Sequence, residues 1–410
     1  MHYEAFSRYA SRSFATLAVL LSLGCGSEST DVAVDGGSGA DAGAAVDGGS
    51  GCVREAGPAN ASRFVVVSRP YGDAGVSAST WQVLELSVEG ELTATDTSFT
   101  MGRATGGVVA FTPDGEIGIV PQEDGSLGIF RIDQAGSVSV LHEHFTGDFY
   151  AGSVVMGEQG DVAYVLSTNW RENGGGVFQL SIGCDGSVKD EGLLVAAKLP
   201  LGMLLLEAGG AVIAAQDLGN SALEQDVHLV ASDMLAMPTA STTIFPDRDA
   251  IVGSIAITAD EQYVLVGDNS GFSGVPNRVG VARVGANSLE SVQLLTPLED
   301  PYAMATSPFD DAAIVVSGFG NAIYQVSYNP ESGDAPFVIA GELAYSGAPP
   351  QLPADVVQVQ RGDLLGLVLI AENQGLRRIR FEGGGVILDL GLSAFGESFA
   401  AIVGAVGVQP

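Results

Sequence analysis

From residue 62 onward, short runs of β-branched and apolar residues alternate with clusters of Gly, Asp, Asn and Pro, and no long helical period appears. One unit recurs: a strand, a tight polar turn and a second strand. VVAFTPDGEIGIV (Val108 to Val120) is a clear copy, beside VVMGEQGDVAYVL (Val154 to Leu166), IAITADEQYVLVGD (Ile255 to Asp268) and AMATSPFDDAAIVVSG (Ala303 to Gly318). Weaker copies are MLLLEAGGAVIAAQD (Met203 to Asp217) and VVQVQRGDLLGLVLIAEN (Val356 to Asn373), and a half copy, FAAIVGAVGV, ends at Val408. Each first pair is followed by a third alternating strand, as in LGIFRI, VFQLSI, VGVARV and LRRIRF, then by a more polar fourth such as SVSVL or GVILDL.

The seven first strands recur every 44–53 residues, the length of four strands with their turns. The two ends complement each other. From Ser62, FVVVS, WQVLELSV and ELTATDT read as second, third and fourth strands without a first, and the C-terminus supplies a first strand without the rest. Sharing one blade between them removes the free edges of an open ring. The expectation is an all-β, seven-bladed β-propeller of four-stranded blades over 62–410, closed by the terminal strands; a pair of β-sandwiches is the rival arrangement. The turns in FTPDGEIGIV and ATSPFDDAAIVV resemble those of lactonase-like and YVTN-type seven-bladed propeller repeats. That resemblance covers nearly all of 62–410 and implies the fold; the WD dipeptide, the YWTD pattern and the docking tryptophans of quinoprotein propellers are absent.

Residues 1–24 read as a signal peptide, with Arg8 and Arg12 ahead of the apolar run Phe14 to Leu23. Ten residues rise only about 15 Å as a helix, half of a bilayer core. LSLGC resembles the lipobox of bacterial lipoproteins, which implies acylation of Cys25, although Ser22 stands where that family usually has Leu. Residues 25–61 then form a lipidated Gly/Ser/Asp/Ala-rich tether. The remaining cysteines, Cys52 and Cys184, are expected to pair in an oxidising envelope compartment. The address is the bacterial cell envelope, exported and lipid-anchored.

With 49 acidic against 17 basic residues and a net charge of −32, the surface repels phosphate backbones and anionic headgroups. Nucleic acid is excluded, and the membrane is met through the lipid anchor alone. G-x-S-x-G, H-E-x-x-H, C-x-x-C, Walker and dinucleotide glycine patterns are missing. His142 and His144 in LHEHF stand at the end of a fourth strand on a blade's rim, where a metal chelate and a solvent-facing edge strand predict the same letters; His228 lies in VHLVAS.

In a propeller the second-to-third and fourth-to-first connections share one face. The first class brings Asn169, Asp217, Asp268, Asn269, Glu372 and Asn373 there, and the second Asp148, Asp247, Asp249, Asp300, Asp355 and Glu397; the candidate cation ligands are Asn169, Asp268, Asn269, Asp300, Glu372 and Asn373. Hard cations such as calcium take oxygen ligands of this kind, and the lactonase-like resemblance implies a divalent cation at the channel mouth. Exposed loops of so acidic a chain carry carboxylates in any case. The first expectation is a monomeric, non-catalytic binding or scaffold module for a protein, glycan or small-molecule ligand; the alternative is a cation-dependent, lactonase-like hydrolase.

Overall fold

The computed structural model describes residues 54–69, 77–104, 107–168, 175–219, 226–231, 238–245, 252–268, 277–396 and 404–410. The first blade holds β1 (Arg63–Ser68), β2 (Thr80–Leu86) and β3 (Leu92–Thr100). The second opens with an interrupted strand, β4 (Gly107–Val108) and β5 (Ala110–Phe111), and continues through β6 (Ile117–Pro121), β7 (Leu127–Ile132) and β8 (Val138–Phe145). The third contains β9 (Ala151–Met156), β10 (Val162–Ser167), β11 (Gly176–Ile182) and β12 (Val188–Lys198). In the fourth are β13 (Gly202–Leu205), β14 (Ala211–Ala214), β15 (Asp217–Leu218), β16 (Val227–Val230) and β17 (Ala240–Thr242). The fifth runs β18 (Val252–Ile257), β19 (Tyr263–Asp268), β20 (Val279–Gly285) and β21 (Ser288–Leu295), and the sixth β22 (Pro301–Thr306), β23 (Ala312–Ser317), β24 (Ala322–Tyr328) and β25 (Phe337–Glu342). The seventh has β26 (Val356–Gln358), β27 (Leu367–Glu372), β28 (Gly375–Gly383) and β29 (Val386–Ala394), after which β30 (Ala405–Val408) returns to the first sheet.

This is a seven-bladed β-propeller. The innermost strands touch in a closed cycle, from β30 to β5, β9, β13, β18, β22, β26 and back to β30. Second strands explain the apolar runs. Each is covered on both faces, so every residue of β19, β23 and β27 is buried. Alternate residues of one strand serve two different cores: Val264 and Val266 pack toward the fourth blade, Tyr263 and Leu265 toward the sixth. Likewise Leu367 and Leu369 face the first blade, while Val368 and Ile370 face the sixth. Each such aliphatic side chain contributes about 1.5–3 kcal/mol by leaving water. Fourth strands lie on the rim, and β8 and β25 show the mixed burial of a solvated edge.

The terminal strands close the ring as the sequence pattern requires. β30 pairs antiparallel with β1 through Val65 and Val408, Val66 and Gly407, and Val67 and Val406. The structure adds two links that period alone does not show. β4 runs parallel beside β30, and β15 pairs with the outer strand β12 of the preceding blade. Val109, at the break between β4 and β5, donates its N–H to Val406 O at 2.9 Å.

Both ends of the described chain meet the face of first-to-second hairpins. Arg54 donates to Asp114 at 2.8 Å and to Gly183 O at 2.8 Å, and Gln409 Nε2 donates to Gly115 O at 2.7 Å. Those hairpins share one chemistry. The Thr112 hydroxyl donates to Asp114 at 2.6 Å and the Thr258 hydroxyl to Asp260 at 2.6 Å, which stabilises the polar turn without dictating an activity. Residues 54–61, the end of the segment expected as tether, are bonded here too: Asn60 Oδ1 accepts from Asp363 N at 2.9 Å. Cys184 occupies the turn between β11 and β12. The signal peptide, Cys25 and Cys52 lie outside the described residues.

Closure depends on close backbone approach at Gly407, where an added Cβ would sit 2.5 Å from Val109 Cβ and 3.1 Å from Phe111 Cε2. Gly407→Ala is expected to destabilise the fold by about 1–3 kcal/mol through this overpacking. Gly347→Ala, which meets nothing within 4 Å, should stay within about 0.5 kcal/mol of the parent in the same thermal melts.

Candidate functional site

Second strands end on the face opposite the hairpins, and in several blades the end residue is a buried polar one. Three of them fasten the chain entering their own blade. Ser68 Oγ accepts from Ala405 N at 2.7 Å, Ser167 Oγ from Tyr150 N at 3.0 Å, and Glu372 Oε2 from Gln351 N at 3.1 Å. Glu372 therefore fills a position that serine fills in three other blades, at Ser68, Ser167 and Ser317. Asp268 ends β19 in the same way and is fully buried.

Both acids also face an arginine. Arg278 Nε donates to Asp268 Oδ2 at 3.0 Å, and its guanidinium lies 5.1 Å from the Phe245 ring centre. Asp226 is nearby in the same environment and accepts from Ile244 N at 2.7 Å and Phe245 N at 2.8 Å. In the seventh blade Arg377 Nε donates to Glu372, Nη1 to Asp389 at 2.7 Å and Nη2 to Ala348 O at 2.8 Å. Arg377 stands 5.3 Å from the Tyr345 ring centre. Burial raises the pKa of Glu372 despite the opposing hydrogen bond from Arg377. Removing one member of such a buried ion pair strands its partner, at a cost of about 3–5 kcal/mol.

Sequence reasoning missed Arg278, Arg377, Asp226 and Asp389. The available signal was an arginine set into an otherwise apolar third strand, as in GLRRIRF, at a register that faces the neighbouring second strand.

The remaining expected ligands are separately engaged. Asp300, with φ of 36°, accepts from Phe319 N at 3.0 Å; burial raises its pKa against that bond. Asn373 donates its backbone N–H to Gln351 O at 3.1 Å. Asn169 and Asn269 lie outside the described residues. Among the described residues no three of His, Cys, Asp and Glu come together to hold a metal ion. With Asp268 and Glu372 facing arginines and Asp300 facing a backbone N–H, the described members do not fit a calcium site.

The histidines have other surroundings. His228 is buried beside Ser241 Oγ at 2.9 Å and Ala215 O at 3.3 Å. His142 packs edge-on against Phe145. His144 Nδ1 lies 3.0 Å from Asp124 Oδ2 and 3.3 Å from Ser126 Oγ. A serine relay needs the hydroxyl and the carboxylate on opposite ring nitrogens. Here both meet the same one.

Asp355 differs from these acids. It sits in the fourth-to-first connection just ahead of β26, and its Oδ2 accepts from Gly107 N at 2.9 Å, so it reaches the first strand of the second blade past the closing blade. Burial pushes its pKa up to about 7, with the Gly107 N–H acting in the opposite direction. It keeps some accessible surface. A carboxyl that titrates near neutrality can take up and release a proton under working conditions.

No family model matches the chain, and no curated protein matches it. Solved structures do. A protein from Lactobacillus plantarum superposes with TM-score 0.61 at 11% identity, covering 85% of this chain and 100% of that one. A candidate 6-phosphogluconolactonase of Bacteroides fragilis gives 0.60 at 10% identity, covering 86% and 99%. The periplasmic gluconolactonase of Pseudomonas aeruginosa gives 0.58 at 14% identity, covering 85% and 99%. At such identities the likeness concerns the fold.

The raised pKa of Asp355 has a definite sign for stability. The folded form holds its proton more tightly than the unfolded one, so its contribution is complete below the unfolded value near 4 and is lost as pH rises through about 7. Asp355→Asn is expected to raise stability at pH 8 by on the order of 3 kcal/mol and to change it little at pH 4. Urea unfolding at the two pH values measures the difference.

Proposed function

We propose that this propeller hydrolyses a sugar lactone, with Asp355 as the base that takes a proton from the attacking water. Asp355 is the observation that carries the reading, because lactone opening at neutral pH needs a base that is ionised yet still basic. In the step, a water oxygen bonds to the lactone carbonyl carbon, the carbonyl carbon to ring-oxygen bond breaks, and the ring oxygen leaves as a hydroxyl after receiving the proton. The chain's likeness to the Pseudomonas aeruginosa and Bacteroides fragilis propellers, over nearly their whole length, favours this class over a non-catalytic scaffold.

Glucono-δ-lactone and its 6-phosphate, followed by pH-stat, are the substrates to test. The expected result is a kcat/KM that rises with pH through an apparent pKa near 7 and falls at least about 100-fold in Asp355→Asn. Hydrolysis no faster than in buffer returns the protein to the binding-module reading.

Export and anchoring form part of the same proposal: acylation of Cys25, a tether leading to the hairpin face, and a Cys52–Cys184 bridge fastening it there. Arg54 supports the last element, since it lies two residues beyond Cys52 and donates to Gly183 O, next to Cys184, at 2.8 Å. Mass spectrometry of the membrane-extracted protein is expected to show a diacylated or triacylated Cys25 at the N-terminus and one peptide pair joined through Cys52 and Cys184. An unmodified N-terminus beyond Cys25, or alkylation of both thiols without reduction, contradicts the respective assignment.

A further inference from the structure

The axial channel holds a cavity of about 430 Å³ between the first strands of the fourth, fifth, sixth and seventh blades, a size within the range of small-molecule sites. It runs from the hairpin turns that carry Glu207 and Glu261, along β26 past Gln360 and Gln358, to Val356. Asp355 is the next residue, and it keeps some accessible surface. Open space borders its hydrogen bond as well: a Cβ added at Gly107, whose N–H Asp355 accepts, would meet nothing within 4 Å. The cavity and Asp355 therefore adjoin in one stretch of the channel.

The exposed wall is more polar than apolar. Gln358 Nε2 donates to Thr306 O at 3.2 Å, while Gln358 Oε1 and the exposed Gln360 amide have no hydrogen-bond partner among the described residues. Glu261 Oε1 accepts from Glu207 N at 2.7 Å, which leaves the Glu207 carboxylate and the second Glu261 oxygen as acceptors. Amide and carboxylate oxygens accept from hydroxyls and amide N–H groups donate to them, so this wall suits a ligand with several hydroxyls. Charge narrows the match. No lysine or arginine is among the lining residues, whereas phosphate groups are held by such cations or by helix N-termini. Two carboxylates at the mouth of a cavity, in a chain of net charge −32, repel an anion.

We infer that this cavity seats the sugar and selects an uncharged one: a polyhydroxy lactone lies with its carbonyl end toward Val356 and Asp355 and its hydroxyls along Gln358, Gln360 and the glutamates, and a phosphorylated sugar is refused. The inference rests on the lactone reading for the reaction and adds to it the seat, the orientation and the charge of the substrate.

Glucono-δ-lactam, in which N–H replaces the ring oxygen and resists hydrolysis, and its 6-phosphate are the probes, titrated calorimetrically into the full-length protein in detergent. Saturable one-to-one binding of the lactam is expected, at least about tenfold tighter than that of the phosphate. Gln358→Ala should weaken the lactam about fivefold or more, and Glu207→Gln combined with Glu261→Gln should bring the two probes within about threefold of each other, both at the parent melting temperature. Asp355→Asn should leave lactam affinity within about twofold of the parent while removing turnover, which separates seat from chemistry. Lactam binding with these responses but without lactone hydrolysis keeps the seat and removes the reaction. Equal kcat/KM for the lactone and its 6-phosphate, lactam affinity unmoved by Gln358→Ala with the probe preference unmoved by the glutamate pair, or no lactam binding at all overturns the inference, and the reaction then stands or falls on turnover alone.

Discussion

The pairing of β30 with β1 is the constraint on which the rest of the molecule depends. Without it the ring has two ends, the apolar second strand β1 becomes an edge, and the cores on both sides of the first blade open to water. The inter-blade cores are arranged in a cycle, each fed by alternate residues of two neighbouring second strands. Stability is therefore distributed around the ring, while closure is concentrated in four residues of β30 and the close approach at Gly407. The parallel contact of β4 with β30 and the Val109 to Val406 hydrogen bond fasten that junction to the following blade.

Closure also explains how polar groups are distributed. A second strand buried on both faces must finish somewhere, and its last side chain stands where the chain re-enters the blade. Serine meets that need with one hydroxyl at Ser68 and Ser167. Glutamate at 372 meets it with one oxygen and leaves a second to be neutralised by Arg377, whose guanidinium also serves Asp389. Much of the acidity on this face is thus structural, held by arginines and backbone N–H groups. Asp355 is set apart because it faces backbone N–H groups, that of Gly107 and its own, and no arginine, so burial leaves its carboxyl near the point of titration.

The two ends of the channel are chemically unlike. Toward one lie buried ion pairs, backbone clamps and Asp355; at the other are the Thr–Asp hairpins and the turns that hold Arg54 and Gln409. A propeller permits this because its two faces are built from different connections, whose residues vary without disturbing the packed second strands. Fold likeness alone leaves the ligand at either end open.

The blade count, the strand order and the sharing of one blade by both termini were written in the chain, because alternation has a fixed period of 2 and a missing first strand at one end matched a spare one at the other. Hairpin chemistry was equally local: Thr112 with Asp114, and Thr258 with Asp260, lie two residues apart. The partners of the acids were not legible. Arg278 follows Asp268 by ten residues and Arg377 follows Glu372 by five, yet whether an arginine faces its acid or solvent depends on strand register and on the neighbouring blade. Asp355 and Gly107 are 248 positions apart and meet only when the ring closes. Composition determined an acidic, all-β chain; tertiary closure decided which carboxylates are neutralised, which one titrates near neutrality and where a cavity remains, since desolvation and charge pairing are properties of what surrounds a residue and not of its place in the sequence.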